Sequence, residues 1–554
     1  LTDAAQHVEI CDVLVLGSGS AGLAAALTAA AGGLSTVIVE KAHCIGGTTA
    51  MSGAITWVPA NHHARSADLR DSRDEALAYL RAAAPPGWCD TEDALWRSFV
   101  SAAPRMLAFL ESKSPLRFRL CDGADPLSHL PGAKPHGRTL APRPLRRSLV
   151  GRYAKCLRRP MLPHLFTPEE ARRLDISRRP RLSAARLAPR LLLRWLTGTR
   201  TAGTALVIGL LKGCLDHGCR IELETAGIQL ITDETTGAVR GAVVERAGQR
   251  RSIRTRRGVV LASGGFEWDA ERRAMHFPGP IDFITSPRTN TGDAHSMAEA
   301  AGAALAHMDQ ANLSPGAPIF YDGAPQGISL YFQRAPNAIL VDRNGRRFVN
   351  EHTFNLGEAI DARDASGAPR YLPAWLISDR RFLARAPLLR RSARLRPDWI
   401  VRAASLEELA DRIGLPRQAL ATTISRFNGF CAAGRDDDFH REEETSRSTA
   451  GDCLRPIERP PFLAIPFNRS FVSTKGGPRT NAGGEVLRPN GSLIQGLFCA
   501  GVAMANPIGT RAVGSGTTIG PNLTWGFICG ESLLDCAPPA PSPTDRTRQP
   551  ETTP

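Results

Sequence analysis

The chain has 554 residues, 42% apolar and 22% charged, which gives a globular chain of several domains and excludes a mostly disordered one. Its net charge of +15 sits largely between residues 138 and 200, where 17 basic and three acidic residues leave a net of +14. That segment has no zinc-finger or RNP-like pattern, so a nucleic-acid partner is not expected. The twelve cysteines are scattered without a CxxC pair, which argues against a disulfide framework and against a zinc site, and makes the cytoplasm the expected location. Residues 1–10 lack the basic and apolar regions of a signal peptide, and no run of about 18 apolar residues predicts a spanning helix.

In chain order, residues 11–16 (CDVLVL) read as a buried strand, 17–22 (GSGSAG) as a turn and 23–31 as a small-residue helix. Residues 36–40 (TVIVE) read as a second strand, which completes a βαβ unit and opens a parallel α/β sheet. Residues 85–200 form a Pro- and Arg-rich excursion. In it, residues 182–196 interleave Leu and Trp with Arg, a composition suited to an anionic membrane surface, and Pro189 is expected to interrupt a single long helix. A helix over 205–217, strands over 220–224, 239–245 and 258–262, and a differently textured region over about 280–460 follow. The core pattern returns in a strand over 496–500 and a helix over 522–534, and the Pro/Ser/Thr-rich tail from residue 538 is expected to be disordered.

The turn carries the chemistry. Gly17 permits a tight bend, Gly19 lets the backbone approach a pyrophosphate, and Gly22 allows close helix–strand packing, with Ser18, Ser20 and Ala21 between them. The helix that follows presents free N–H groups and its positive dipole end to an anion. Glu40 ends the next strand 18 residues after Gly22, where its carboxylate can accept from both ribose hydroxyls of an adenosine. NAD and FAD both fit this fingerprint. A second loop, Gly46-Gly47-Thr48-Thr49 through Ser52 and Gly53, follows the acid. Further small-residue elements occur at Ala262-Ser263-Gly264 and at Ala500-Gly501. Four such elements spread over the chain point to one long ligand, FAD, threaded through a composite domain.

Together these motifs resemble the flavoproteins of the fumarate reductase and 3-ketosteroid Δ1-dehydrogenase superfamily, over roughly residues 10–60, 200–360 and 460–535. The ketosteroid dehydrogenase branch is the more similar. Residues 46–59 (GGTTAMSGAITWVP) are similar to its GGTTAxSGGxxWxP segment, 474–480 to its TKGGxxT segment, and 509–521 (GTRAVGSGTTIGP) to its flavin-side loop. The resemblance implies an α/β, Rossmann-like FAD-binding domain of the glutathione-reductase type, interrupted by an α+β substrate cap. Its parts would be residues 1–280, a cap over 281–460, and 461–537. It adds Lys41, Asp293, Thr518 and Ile519 to the residues expected around a non-covalent FAD. It also implies α,β-dehydrogenation of a cyclic ketone, a 3-ketosteroid or a smaller alicyclic compound. A tyrosine would remove the α proton, flavin N5 would take the β hydride, and an external acceptor would reoxidise the flavin. Independently of the resemblance, the basic segment 138–200 reads first as a solvated face, with peripheral membrane contact as the alternative.

The family's tyrosines are missing. None of the five tyrosines falls on a catalytic position: the cap tyrosine aligns with Asn355, the loop tyrosine with Ala512, and a third aromatic with Pro126 or Leu127. Only the loop's backbone donor, at Gly516, remains. Fumarate reductases place a proton-donating arginine at the cap position, again Asn355, which can donate a hydrogen bond but cannot act as an acid or base. Arg511 is the candidate for binding a carboxylate or enolate, and Tyr331 for a relocated base, with Tyr321, His352, His129 and His136 as weaker candidates. His62 and His63, read on a strand, would point to opposite faces. Two other readings stand beside dehydrogenation: an enoate reductase, which a carboxylate on Arg511 would favour, and a flavin-binding protein with a degenerate site.

Overall fold

The computed structural model describes residues 8–173, 180–443 and 453–536. The expected disordered tail lies outside these residues. The elements that place the functional groups are β1 (Glu9–Leu16), α1 (Ser20–Ala31), β2 (Thr36–Glu40), α2 (His62–Ser66), α3 (Trp88–Lys113), α4 (Pro180–Leu196), β3 (Gln249–Leu261), β4 (Ile281–Ile284), β5 (Arg469–Thr474), β6 (Leu493–Cys499) and α5 (Ile519–Asp535).

The main sheet runs in the order Glu485–Leu487, β6, β3, β1, β2, Arg220–Leu223, and the outer half of β3 carries an antiparallel extension, Val239–Arg246 and Ala226–Thr232. β1 pairs in parallel with β3 (Leu16 opposite Leu261) and with β2 (Leu16 opposite Val39), and β3 pairs in parallel with β6 (Leu261 opposite Cys499). Four strands thus end at one edge, the carboxyl edge, where ligands of open parallel sheets bind.

Helix α1 (SAGLAAALTAAA) has no polar face, and eleven of its twelve residues are buried. Small side chains allow this: α1 lies between the sheet and α5, where a Cβ at Gly526 would stand 2.2 Å from the Ala21 carbonyl oxygen. The excursion is not separate from this core, because Trp96, Phe99, Met106 and Leu110 of α3 are buried within it. α4 is one helix through Pro189, contrary to the expected interruption. The missing N–H removes one helical bond, while Arg190 and Arg194 both bind Glu170, at 2.9 and 2.7 Å, and tie the second half of the helix down.

A second unit follows β4. Its antiparallel sheet, Ala338–Val341, Trp375–Asp379, Phe462–Pro466 and Val401–Ala403, buries Leu340, Leu376 and Ile465 on one face and Ile339, Ile377 and Ala464 on the other. β4 and β5 leave and re-enter the first unit side by side as a parallel pair, joined also by the Asn468 side chain donating to Asp282 at 2.8 Å. No helix among the described residues is long and apolar enough to cross a membrane.

Gly526→Ala would force α1 and α5 apart. The expected cost is about 1–3 kcal/mol, read as a lower urea midpoint at unchanged slope.

Candidate active site

The carboxyl edge of the sheet and the inner side of the cap enclose a cavity of about 540 Å³. Gly17, Ser18, Gly19, Ser20 and Ala21 line one end of it with Glu40 and Lys41. Gly17 has φ +112°, and a Cβ there would meet the Ala262 carbonyl oxygen at 2.4 Å, so only glycine lets the turn lie against the end of β3. Glu40 is buried and accepts from Ser18 N at 3.1 Å and Ala42 N at 2.9 Å, which closes the turn around its carboxylate. Lys41 is held by Asp293 at 2.8 Å. Gly47, Thr48, Thr49, Ser52 and Gly53 continue the wall, and Ser263, Gly264, Gly501, Thr518 and Ile519 complete it with Ala262.

Three of the expected cofactor residues stand behind the wall. A Cβ at Gly22 would lie 2.1 Å from the Gly17 oxygen, Gly46 packs on Ala50 and Val207, and Ala500 is fully buried with its N–H on the Leu261 carbonyl. None of the three lines the cavity. The motif reading passed over Asn290, whose amide donates to Glu267 at 2.8 Å and to Thr48 at 3.2 Å. Glu267 is fully enclosed, and burial raises its carboxyl above the usual range.

The residues fit a dinucleotide carrying a planar ring system. Buried oxygens of Ser263, Ser473 and Asn522 line the cavity with no partner among the described residues, and the N-terminus of the 17-residue α5 opens on it. Unpaired buried polar atoms need a ligand or water to satisfy them.

The loop over 506–518 forms the opposite wall and is held from beneath. Lys475, fully buried, donates to the Gly509 carbonyl, and burial pushes its ammonium down to about 8. Thr510 N donates to Gln310 at 2.9 Å. Gly514 rests against Trp57, whose indole N–H donates to Asp125 at 2.9 Å. Asp125 and Asp71 share the buried Arg138 guanidinium, at 2.8 and 2.6 Å.

Of the four residues expected to act on substrate, Tyr331, Asn355 and Gly516 line the cavity and Arg511 does not. Arg511 is turned onto Glu358, with Nε at 2.9 Å, and onto the Ala83 carbonyl at 3.3 Å. Asn355 uses both ends of its amide on one backbone unit: Nδ2 donates to Ala512 O at 3.1 Å and Oδ1 accepts from Ala512 N at 2.8 Å. The two positions expected to correspond to the family's tyrosines are therefore bonded to each other, as a latch between cap and loop. Tyr321 donates to the Arg159 carbonyl, and neither it nor His352, His129 or His136 lines the cavity.

Two residues the motifs did not reach do line it. Gln333 is fully buried with both amide atoms unpartnered, and Arg334, with its Nε buried and unpartnered, has no carboxylate partner among the described residues. The Arg334 guanidinium stands 5.2 Å from the centre of the Tyr331 ring. No sequence motif marks either residue.

Comparison with known proteins agrees with this architecture. Residues 12–519 match the family described as FAD binding domain. The 3-oxosteroid 1-dehydrogenase of Mycolicibacterium smegmatis is 35% identical over 95% of this chain and 97% of its own. The 4-oxocyclohexanecarboxylate 2-dehydrogenase of Sinomonas cyclohexanicum is 34% identical over 94% of this chain and 92% of its own. The crystal structure of 3-ketosteroid Δ1-dehydrogenase from Sterolibacterium denitrificans, in complex with 1,4-androstadiene-3,17-dione, superimposes with a TM-score of 0.84 at 30% identity, covering 95% of this chain and all of that one.

Asn355→Asp keeps the acceptor for Ala512 N–H but sets a carboxylate oxygen against the Ala512 carbonyl. The expected cost is about 1–3 kcal/mol, with faster amide exchange over residues 350–358 and 509–516 and the cofactor still bound.

Proposed function

The chain belongs to the FAD binding domain family and is an FAD-dependent dehydrogenase acting on CH–CH groups, and from that premise we propose that its substrate is a cyclic ketone bearing a carboxylate. The observation that carries this reading is the pair Gln333, buried, and Arg334, half-buried with its Nε enclosed, which line the cavity with these polar atoms unbonded to any described residue. A guanidinium beside an amide donor matches a carboxylate in charge and in hydrogen-bond geometry. Arg511, the cation read from the loop sequence, is committed to Glu358, which also removes the argument it lent to an enoate reductase.

Bound FAD supplies a two-electron oxidant. The chain supplies the rest. Tyr331, which lines the cavity and is 61% exposed, is as its phenolate the proposed acceptor of the proton α to the ketone. The Gly516 N–H, which donates to no protein acceptor among the described residues, is the proposed donor to the ketone oxygen. Charge grows on that oxygen as the α proton leaves, so a fixed donor aimed at it lowers the barrier. Gln333 and Arg334 hold the carboxylate and so fix which ring carbon meets Tyr331. Asn355 acts through Ala512 by positioning the loop. The aligned enoate reductase and degenerate-site readings call for a different outcome in the experiment below.

The test is anaerobic titration of the holoenzyme with 4-oxocyclohexanecarboxylate, cyclohexanone and a 3-ketosteroid, following the flavin band. The carboxylated ketone is expected to bleach it fastest. Arg334→Gln is expected to lower kcat/KM for that substrate about 100-fold, the loss of a charge-assisted bond of ~3 kcal/mol, and to leave cyclohexanone within a few-fold. Bleaching by the steroid alone, or an equal loss on all three, overturns the carboxylate assignment. Arg511→Gln is expected to retain activity within a few-fold.

A second observation favours contact with an anionic membrane. On α4, Leu192, Leu193, Trp195 and Leu196 are 56–66% exposed beside the exposed Arg186 and Arg190. Apolar side chains interleaved with arginine suit the interface of an acidic bilayer. The protein is expected to co-sediment with phosphatidylserine-containing vesicles at low salt, and Leu193→Ser with Trp195→Ser to abolish this without changing turnover. Equal sedimentation of that variant would sink the assignment.

A further inference from the structure

Outside the cavity, the sequence reading set His62 and His63 on a strand with their side chains opposed. They lie instead in the first turn of α2, capped by Asn61, whose Oδ1 accepts from Ala64 N at 2.8 Å. Asn61 Nδ2 donates to Val58 O at 2.8 Å and Gly137 O at 2.7 Å, which fixes where the turn begins. Both imidazoles reach the same carboxylate. His62 Nε2 is 2.8 Å from Glu111 Oε2, and His63 Nε2 is 3.0 Å from Oε1 and 3.1 Å from Oε2. The ring centres are 4.2 Å apart.

Glu111 comes from the last turns of α3 and is itself positioned, its Oε1 accepting from Phe118 N at 2.7 Å. Its side chain is 11% exposed, against 42% for His62 and 26% for His63. Two rigid anchors, the Asn61 cap and the Phe118 bond, thus hold three ligating groups in place before any ion arrives. Among the described residues this is the one group of three whose ligand atoms converge, all within 4.8 Å of one another. A solvent-open hollow of about 370 Å³, lined by Ala60, Arg65, Pro104 and Ala108 with His62 and Glu111, lies beside them.

We propose that His62, His63 and Glu111 form a binding site for a divalent transition-metal ion of the zinc type. Two imidazole nitrogens and a carboxylate oxygen are a donor set for Zn2+, which leaves a fourth position to water from the hollow. Around a tetrahedral zinc, ligand atoms ~2.0–2.2 Å from the ion stand ~3.3 Å from one another. The observed N···O distances of 2.8–3.1 Å need to open by only a few tenths of an ångström. In the metal-bound state each imidazole carries its proton on Nδ1 and presents the Nε2 lone pair to the ion, and the carboxylate exchanges its contacts with the two rings for one coordinate bond. The ion would cross-link α2 to the end of α3. None of its ligands lines the cavity, so it is a structural site independent of the substrate assignment.

The test uses untagged, chelator-treated holoenzyme titrated with Zn2+ in competition with a chromophoric chelator, and with Co2+ to read coordination by its visible bands. One equivalent is expected to bind at micromolar or lower Kd, with a tetrahedral or five-coordinate cobalt spectrum and a raised Tm. His63→Gln and Glu111→Gln, which preserve size and a hydrogen-bonding group, are expected to weaken binding at least 100-fold while leaving flavin content and turnover unchanged. Binding of equal strength in both variants means an adventitious ion only, held by other histidines or cysteines, and overturns the proposal. Absence of binding below about 100 μM in the parent protein overturns it as well.

Discussion

A backbone-on-backbone contact at the end of β1 governs the rest of the molecule. With no side chain at Gly17, the turn rests on the carbonyl of Ala262, and with none at Gly22, α1 folds back onto the Gly17 oxygen. These approaches bring the amino end of α1, the carboxyl ends of β1 and β3, and the Glu40 carboxylate to one point. A methyl group at either position would separate them by more than hydrogen bonds can bridge. The same economy of side chains recurs behind the turn, where Gly526 and Gly530 let α5 lie directly on α1. Because α5 opens on the cavity, its seat on α1 also sets where the flavin-side loop ends.

The cap is coupled to that loop by a bond that replaces chemistry with positioning. Asn355 spends one amide N–H and one carbonyl lone pair on the two polar atoms of Ala512, and an amide cannot act as an acid or base, so Asn355 serves as a clamp on that backbone unit. On the cap side of the wall, the Gln333 amide and the Arg334 Nε have no hydrogen-bond partner among the described residues, and both lie beside Tyr331 on one short segment. Arg347, Glu351, Asp436 and Arg441 stiffen the cap from within as a buried, nearly neutral network, with Arg347 bonded to Glu351 at 2.7 Å and to Asp436 at 2.8 Å. Such pairs are costly to break, since the partner would be left charged and dry.

The positive charge concentrated in residues 138–200 separates on folding into buried and exposed parts. Arg138, within the basic segment, is buried between two aspartates behind the flavin loop. Arg190 and Arg194 converge on Glu170, and the apolar side chains between them are left facing outward. The excess positive charge is therefore partly structural and partly surface, and the exposed Leu and Trp of α4 distinguish that surface from an ordinary solvated face.

The sequence by itself determined the βαβ unit, the acid at Glu40, the four small-residue elements and the FAD they imply, because these depend on local properties: where a Cβ is intolerable, where a strand ends, which residues carry oxygen. It also directed attention to Asn355 and Ala512, the positions where the resemblance leads one to expect tyrosines. It could not say that those two residues bond to each other, that Arg511 is taken by Glu358, or that Gln333 and Arg334 are left unpaired. Each of these depends on a partner more than 150 residues away or on the absence of one. The histidine pair shows the same limit from the other side: a one-turn helix, invisible to strand alternation, sets both rings on Glu111. Local sequence decides what a residue can do, and only the tertiary structure decides which of those capacities is already spent.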